Sequence, residues 1–309
     1  MLKKILNKEV KEYKAKDVMT KNVITLPPSE SLLKAQSLMT KYRIKRIVVV
    51  EDEDSAVGII TIKDIIRFVI SDPTDREMHE IPIDEAIIKR LITTKKNSTV
   101  VECAQVMARE NVRSIVVVKE DIPQSLNPKL SGIITSSDLT NFFGEKCTSI
   151  ATLRDYMSYP VITIAFNDKI SNATELMLKN HISHLVVTGP GYLVGIISET
   201  DLLLLTLAFK SKSLRSVYEN NLILFHSSKK RNLIEPAFAT IKDVFTPYPT
   251  IIEKDSDLAE AAKIMTRERI SAIPVVDSLE ADMEDRPVGI ITKTDIVKAL
   301  SQVYKKVRP

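Results

Sequence analysis

Four short aliphatic runs recur along the chain: "RIVVV" at 46–50, "SIVVV" at 114–118, "HLVVT" at 184–188 and "AIPVV" at 272–276. Each is rich in β-branched residues and bounded by turn signals, a pattern that predicts strands buried on both faces. Upstream of each run lies a helical stretch in which a small residue precedes a methionine by four positions: Ala35 and Met39, Cys103 and Met107, Ala173 and Met177, Ala261 and Met265. This spacing places both residues on one helix face, the small one allowing close approach and the large one serving as a packing knob. Downstream of each run come a loop, a second strand and a recurring heptad: "GIITIKD" at 58–64, "GIITSSD" at 132–138, "GIISETD" at 195–201 and "GIITKTD" at 289–295.

The unit is therefore an entry segment, a helix, two strands and a second helix, about 60 residues and too small to be comfortably stable alone. It occurs four times, at about 12–72, 84–145, 150–210 and 236–304. The copies alternate. From methionine to heptad glycine the chain runs 19, 25, 18 and 24 residues in the four copies, the even ones carrying longer loops at 119–131 and 277–288. Copies 1 and 3 share the entries "DVMT" (17–20) and "DYMS" (155–158). Duplication of a two-repeat unit explains this alternation and predicts two domains, residues 1–147 and 148–309, the second containing a basic linker at 210–235.

Taken singly, a Thr or Ser three residues before an Asp is a capping box at a helix N-terminus, with glycine permitting a turn or a close backbone approach. Four copies in equivalent places suggest more. A helix N-terminus suits an anion such as phosphate, and a carboxylate one turn in can accept the hydroxyls of a ribose. The hydroxyls of Thr61, Thr135, Ser198 and Thr292 can donate to phosphate oxygens, while Ile59 and Ile60 can wall a base. A cation before the first strand varies between copies: Lys45-Arg46, Arg113-Ser114, Ser183-His184 and Ser271-Ala272. Four equivalent pockets would therefore bind phosphate unequally.

Composition narrows the class more than the chemistry. At 309 residues, 44% hydrophobic and 27% charged, the chain fits a globular protein of two domains. Cys103 and Cys147 are its only cysteines, which supports neither a disulfide framework nor a structural zinc site, and Cys103 occupies an alanine position in the repeat. "MLKKIL" leads into charged residues and not into a signal-peptide core. The greasiest run, "DLLLLTLAF" at 201–209, is far shorter than a membrane span, so a cytoplasmic protein without a membrane partner is expected. The net charge of +4 is mild, yet basic residues cluster at Lys3, Lys4, Lys8, Lys11, Lys14 and Lys16, along 210–231, and at Lys305, Lys306 and Arg308. Such clusters are either solvated faces or a footprint for an anionic partner such as RNA or a membrane surface.

The "DVMT" entry, the Ala-x-x-x-Met helix, the aliphatic strand and the "GII(T/S)xxD" junction, four times in order, resemble CBS-domain proteins with four CBS repeats. The resemblance runs from about residue 12 to about residue 304. It implies an α/β (α+β) fold of β-α-β-β-α repeats, paired about pseudo-twofold axes into two Bateman modules. It also implies clefts between paired repeats that take AMP, ADP, ATP or S-adenosylmethionine as regulatory ligands, with no required cofactor or metal. Carried over, Thr61, Lys63 and Asp64 would face Leu91, Ile92 and Thr93, and Thr135, Ser137 and Asp138 would face Thr20, Val23 and Ile24. In the second module Ser198, Thr200 and Asp201 would face Thr250 and Ile251, and Thr292, Thr294 and Asp295 would face Ser158, Val161 and Ile162. Arg46, Arg113 and His184 are the expected phosphate contacts within their own repeats. Lys63 would aid a phosphate or pair with Asp64. Repeat 2 departs from the pattern, with "IIKRLITT" at its entry, and Ala272 leaves the Asp295 cleft without a local cation.

The leading expectation is a non-catalytic sensor that passes ligand occupancy to a protein partner or to a dimer. A sensor of S-adenosylmethionine or methylthioadenosine is a variant of it. An enzyme is disfavoured because no nucleophile–base constellation, P-loop or metal cluster stands in the sequence. An RNA- or ribosome-associated factor rests on the basic clusters alone.

Overall fold

A computed structural model of the chain describes residues 10, 12–52, 54–74, 76–119, 128–210, 239–277 and 286–302. Most of the basic clusters, at 1–9, 211–238 and 303–309, and most of both long loops therefore lie outside the described residues.

Each repeat folds as its pattern predicts. The first helices, Leu32–Tyr42, Val100–Glu110, Ile170–Lys179 and Leu258–Arg267, bury the small residue and the methionine in every copy. The aliphatic runs form the strands Arg46–Glu51, Ser114–Val118, His184–Thr188 and Ala272–Val276, whose central residues are sealed from solvent. Each pairs antiparallel with the heptad strand, Ser55–Thr61, Leu130–Thr135, Leu193–Ser198 or Pro287–Thr292. On its other edge it pairs parallel with a short entry strand, Thr25–Leu26, Thr93–Lys95, Thr163–Ala165 or Ile252–Glu253. The result is four small sheets. The antiparallel register sets Arg46 against Thr61, Ser114 against Thr135, His184 against Ser198 and Ala272 against Thr292. In every repeat the start of the first strand thus stands beside the cap of the junction helix.

The entry segments are exchanged between paired repeats. Ile81 and Ile83, which lead into repeat 2, are buried in the core of repeat 1, and Val10 and Ala15 are buried with repeat 2. Leu153 likewise joins the core of repeat 4, and Ala239, Ile241 and Val244 join that of repeat 3. Backbone hydrogen bonds fix the exchange, Leu32 N to Ile81 O at 2.9 Å and Leu153 N to Ser256 O at 3.0 Å among them. The sheets of repeats 1 and 2 meet through Val48, Ala56, Val116 and Ile133, and those of repeats 3 and 4 through Val186, Ala272 and Ile290.

Helices make the other contacts. The junction helix Ile62–Ser71 packs on Glu199–Lys210, and Ser136–Lys146 packs on Leu258–Arg267 and on Lys293–Gln302. The two largest cores therefore each draw on both halves of the chain, one joining repeats 1 and 3, the other repeats 2 and 4. At the second crossing a Cβ on Gly144 would stand 3.1 Å from Lys263 N, so glycine is what lets the two helix backbones approach. Sheet pairing and helix pairing together close the four repeats into a ring.

Candidate functional site

The heptads begin as helix caps. In all four, the backbone N–H of the Thr or Ser donates to Oδ2 of the Asp, at 2.9, 2.7, 2.7 and 2.9 Å for Thr61, Thr135, Ser198 and Thr292. The hydroxyls donate to the same oxygen at 2.6–2.8 Å. The hydroxyls are thus spent on the caps, where the sequence suggested phosphate contacts. Oδ1 of Asp64, Asp138 and Asp295 stays outside the cap. Burial raises the carboxyls of Asp138 and Asp295 above their ordinary range, against the lowering effect of the cap bonds. Asp201 is the most enclosed of the four, only 4% exposed.

Opposite each heptad strand lies the entry segment of the paired repeat, and the heptad glycine is what admits it. A Cβ on Gly58 would stand 2.9 Å from Ile88 O, one on Gly132 2.8 Å from Thr20 O, and one on Gly195 2.6 Å from Thr246 O. One on Gly289 would stand 3.1 Å from Ser158 O and 2.7 Å from Met157 Sδ. Thr20 exchanges backbone hydrogen bonds with Ile133 at 2.9 and 3.0 Å, and Ser158 with Ile290 at 2.9 and 3.2 Å. In repeat 3 the exchange is a full strand, with Thr246–Pro247 antiparallel to Ile196 and Gly195. Of the expected facing residues, Thr20 and Ser158 make these contacts, whereas Ile88 and Thr246 stand against the heptad glycines where Leu91–Thr93 and Thr250–Ile251 were expected. Val23, Leu91 and Val161 lie at the sheet–sheet seams. Ile24 and Ile162 turn into the core of repeats 1 and 3, and Ile92 into that of repeats 2 and 4, because neighbours on an extended chain face opposite sides. Thr93 is exposed in the entry strand, Ile251 is half-buried, and the Thr250 hydroxyl donates to Glu268 at 2.5 Å. Thr200 is half-buried and Thr294 exposed.

The strand starts converge where the four repeats meet, and their side chains cross from one repeat to the next. Arg46 Nη1 donates to Arg113 O at 2.5 Å, Arg113 Nη2 to Ser183 Oγ at 3.2 Å, and His184 Nε2 lies 3.0 Å from Ser271 Oγ. Each side chain leaves its own repeat for the next, because the ring brings the next strand start within reach. His184 is held neutral: burial, then the charges of Arg113 and Lys63, push its pKa down to about 3. The expected titratable cation is therefore uncharged at neutral pH. Desolvation and neighbouring cations also lower Lys293 to about 8 and Arg46 to about 10.

Lys63 does not pair with Asp64. Its Nζ lies 2.5 Å from Glu199 Oε2, the other oxygen of that carboxylate engages Arg67, and Ser183 Oγ donates to Oε2 at 3.0 Å. At the equivalent place in repeats 2 and 4, Lys293 Nζ donates to Ser137 Oγ at 3.0 Å. Glu199 and Lys293 hold the same heptad position, the residue after the cap, filled by Ile62 and Ser136 in the other copies. They were missed because a residue's charge in one repeat acquires meaning only once its facing repeat is known.

A family model described as CBS domain matches residues 15–71, 83–145, 153–207 and 241–302. The chain is 27% identical over 298 residues to protein MJ1225 of Methanocaldococcus jannaschii, covering 92% of this chain and 97% of that one. It is 31% identical over 161 residues to MJ1426 of the same organism, covering 49% and 92%. The crystal structure of MJ1225 superposes with a TM-score of 0.71 at 24% identity, over 93% of this chain and 99% of that one. A conserved protein from Pyrococcus horikoshii superposes with a TM-score of 0.59 at 21% identity, over 93% and 99%. These likenesses establish the shared fold. Among the described residues, no helix is long and apolar enough to cross a membrane.

Proposed function

The chain belongs to the CBS-domain family in all four of its repeats, and from that premise we propose that it is a non-catalytic, cytoplasmic regulatory protein that binds adenosine-containing ligands between paired repeats. AMP, ADP or ATP are the leading ligands, with S-adenosylmethionine the alternative. The observation that carries this reading is the repeated juxtaposition of a capped aspartate with its paired repeat's entry segment. The cap orients Asp64, Asp138 and Asp295 through Oδ2 and leaves Oδ1 for a ribose diol. Helix N-termini and the convergent cations beyond suit a phosphate.

Occupancy has a physical route outward. A ligand wedged at the seam between repeats 1 and 2 bears on strands whose other faces belong to the cores shared with repeats 3 and 4. A ligand that prefers one spacing of that seam would shift the ring, and with it the affinity for a protein partner, by no more than its differential affinity for the two states.

Thermal unfolding with AMP, ADP, ATP, S-adenosylmethionine and methylthioadenosine tests the reading. A bound ligand at about 100 times its dissociation constant adds ~2.7 kcal/mol per site, a rise of several degrees. Reversible unfolding with no shift from any of the five would reject adenosine-ligand binding.

A further inference from the structure

The two helix–helix seams of the ring carry opposite charge at equivalent positions. Where repeats 1 and 3 meet, the residue after the cap is Glu199, and its carboxylate lies on Lys63, Arg67 and the Ser183 hydroxyl. Where repeats 2 and 4 meet, that residue is Lys293, whose ammonium lies on the neutral hydroxyl of Ser137. Lys293 forms no ion pair among the described residues.

Resting on the adenosine-ligand reading, we infer that these two residues sort ligands by charge. Glu199 bars phosphate from the Asp64 and Asp201 clefts, which take uncharged adenosine-type ligands such as a nucleoside. Lys293 draws a nucleotide phosphate to the Asp138 and Asp295 clefts.

The reasoning follows the chain's own geometry. A phosphate carried on a ribose at Asp64 must reach the N-terminal turn of the helix Ile62–Ser71, where the local cation is Lys63. That ammonium already lies 2.5 Å from Glu199 Oε2, with the carboxylate 23% exposed and so weakly screened by salt. A phosphate on Lys63 would sit within about 5 Å of a second anion or would have to displace it from three partners. At Asp201 the obstruction is more direct, because Glu199 lies two residues before that aspartate in the first turn of the same helix.

At the other seam the signs reverse. Lys293 and Arg46 both bear electrostatically on Asp138. Burial and the neighbouring guanidinium hold Lys293 down to about 8, with Asp138 offsetting only part, so it stays mostly an ammonium at neutral pH, and a phosphate placed beside it would stabilise that charge. Arg46 reaches this end because its guanidinium crosses to Arg113 O in repeat 2. The cation that sequence assigns to the Asp64 cleft thus acts on Asp138 more strongly than on Asp64.

Calorimetric titration of the full chain with AMP and with adenosine tests the sorting. Asp64→Ala and Asp138→Ala assign each binding event to its end of the ring. Glu199→Gln should shift the AMP-to-adenosine affinity ratio of the Asp64-dependent event about tenfold toward AMP. Lys293→Gln should shift that of the Asp138-dependent event about tenfold toward adenosine, and it remains informative if the Glu199 variant does not fold. Ratios unchanged in both variants, with both ligands bound, would overturn charge sorting and leave adenosine binding standing. Failure of the unsubstituted chain to bind either ligand would overturn the adenosine reading itself.

Discussion

Lys63 and Glu199, 136 positions apart in the chain, meet with Nζ 2.5 Å from Oε2 at the seam between repeats 1 and 3. Both are half-buried, with side chains 21% and 23% exposed, and neither belongs to a pair that the duplicated sequence marks as partners. The contact joins the two halves of the chain directly beside two candidate ligand clefts. Stability of the ring and electrostatics of the site are therefore set by the same residues.

Glu199 should make the ring acid-sensitive over a defined range. Burial raises its carboxyl, but the hydrogen bond and charge of Lys63, the charge of Arg67 and the Ser183 hydroxyl outweigh this and hold it at about 2, against an ordinary 4.5. Its folded value lies below its unfolded one, so its contribution is complete above about pH 4.5 and is lost as pH falls toward 2. Burial keeps Lys63 below its ordinary value even beside the carboxylate, so the pair contributes less than the Glu199 shift alone implies. Denaturant unfolding should show Glu199→Gln costing about 1–2 kcal/mol at pH 7 and flattening the acid limb between those limits.

His184 should contribute a second dependence, nearer neutrality. Its folded pKa, about 3, lies below the ordinary 6.5, so the unfolded chain binds the extra proton between these values. Stability is then highest above pH 6.5 and falls with acidification, by roughly 1 kcal/mol per pH unit. His184→Gln, which retains a group able to bond Ser271, should lose measurably less stability than the unsubstituted chain between pH 7 and pH 5.

Gly195→Ala tests the exchanged entry segment. The new methyl would stand 2.1 Å from Phe245 Cδ2 and 2.6 Å from Thr246 O, and the latter is backbone that cannot rotate aside. Separating the strand from Thr246–Pro247 should cost about 2–3 kcal/mol in denaturant unfolding. It should also weaken any ligand held at the Asp201 cleft.

The cysteines should behave as core residues. Burial pushes the Cys103 thiol up to about 11 and the Cys147 thiol up to about 12, far from the reactive range. Alkylation at pH 8 should label neither in the native chain and both in denaturant. Cys103→Ala should cost only about 1 kcal/mol, because Ala35, Ala173 and Ala261 fill the same place in the other repeats.

The local structure was legible before any coordinates. Continuous β-branched runs, Ala-x-x-x-Met faces and capping boxes each report on a few neighbouring residues, and four copies reinforced every assignment. The pairing of heptad with exchanged entry segment followed from the family resemblance, and the glycines that admit the entry segment were visible in the repeated "GII". The caps hid one fact: their hydroxyls are already engaged by the aspartates, since a side chain three residues away is a closer partner than a ligand.

The sequence by itself thus determined the repeat, its elements and its caps, because these depend on short-range periodicity. Only the tertiary structure decided which repeats face one another through their helices. All four copies present apolar helix faces, and nothing in an apolar stripe names its partner. That choice sends Lys63 to Glu199 and not to Asp64, and Lys293 to Ser137. The closing of the ring sends Arg46 toward Arg113 and holds His184 in its neutral form. Charges acquire neighbours only when distant segments meet, so the polarity of the site belongs to the ring and not to the heptad.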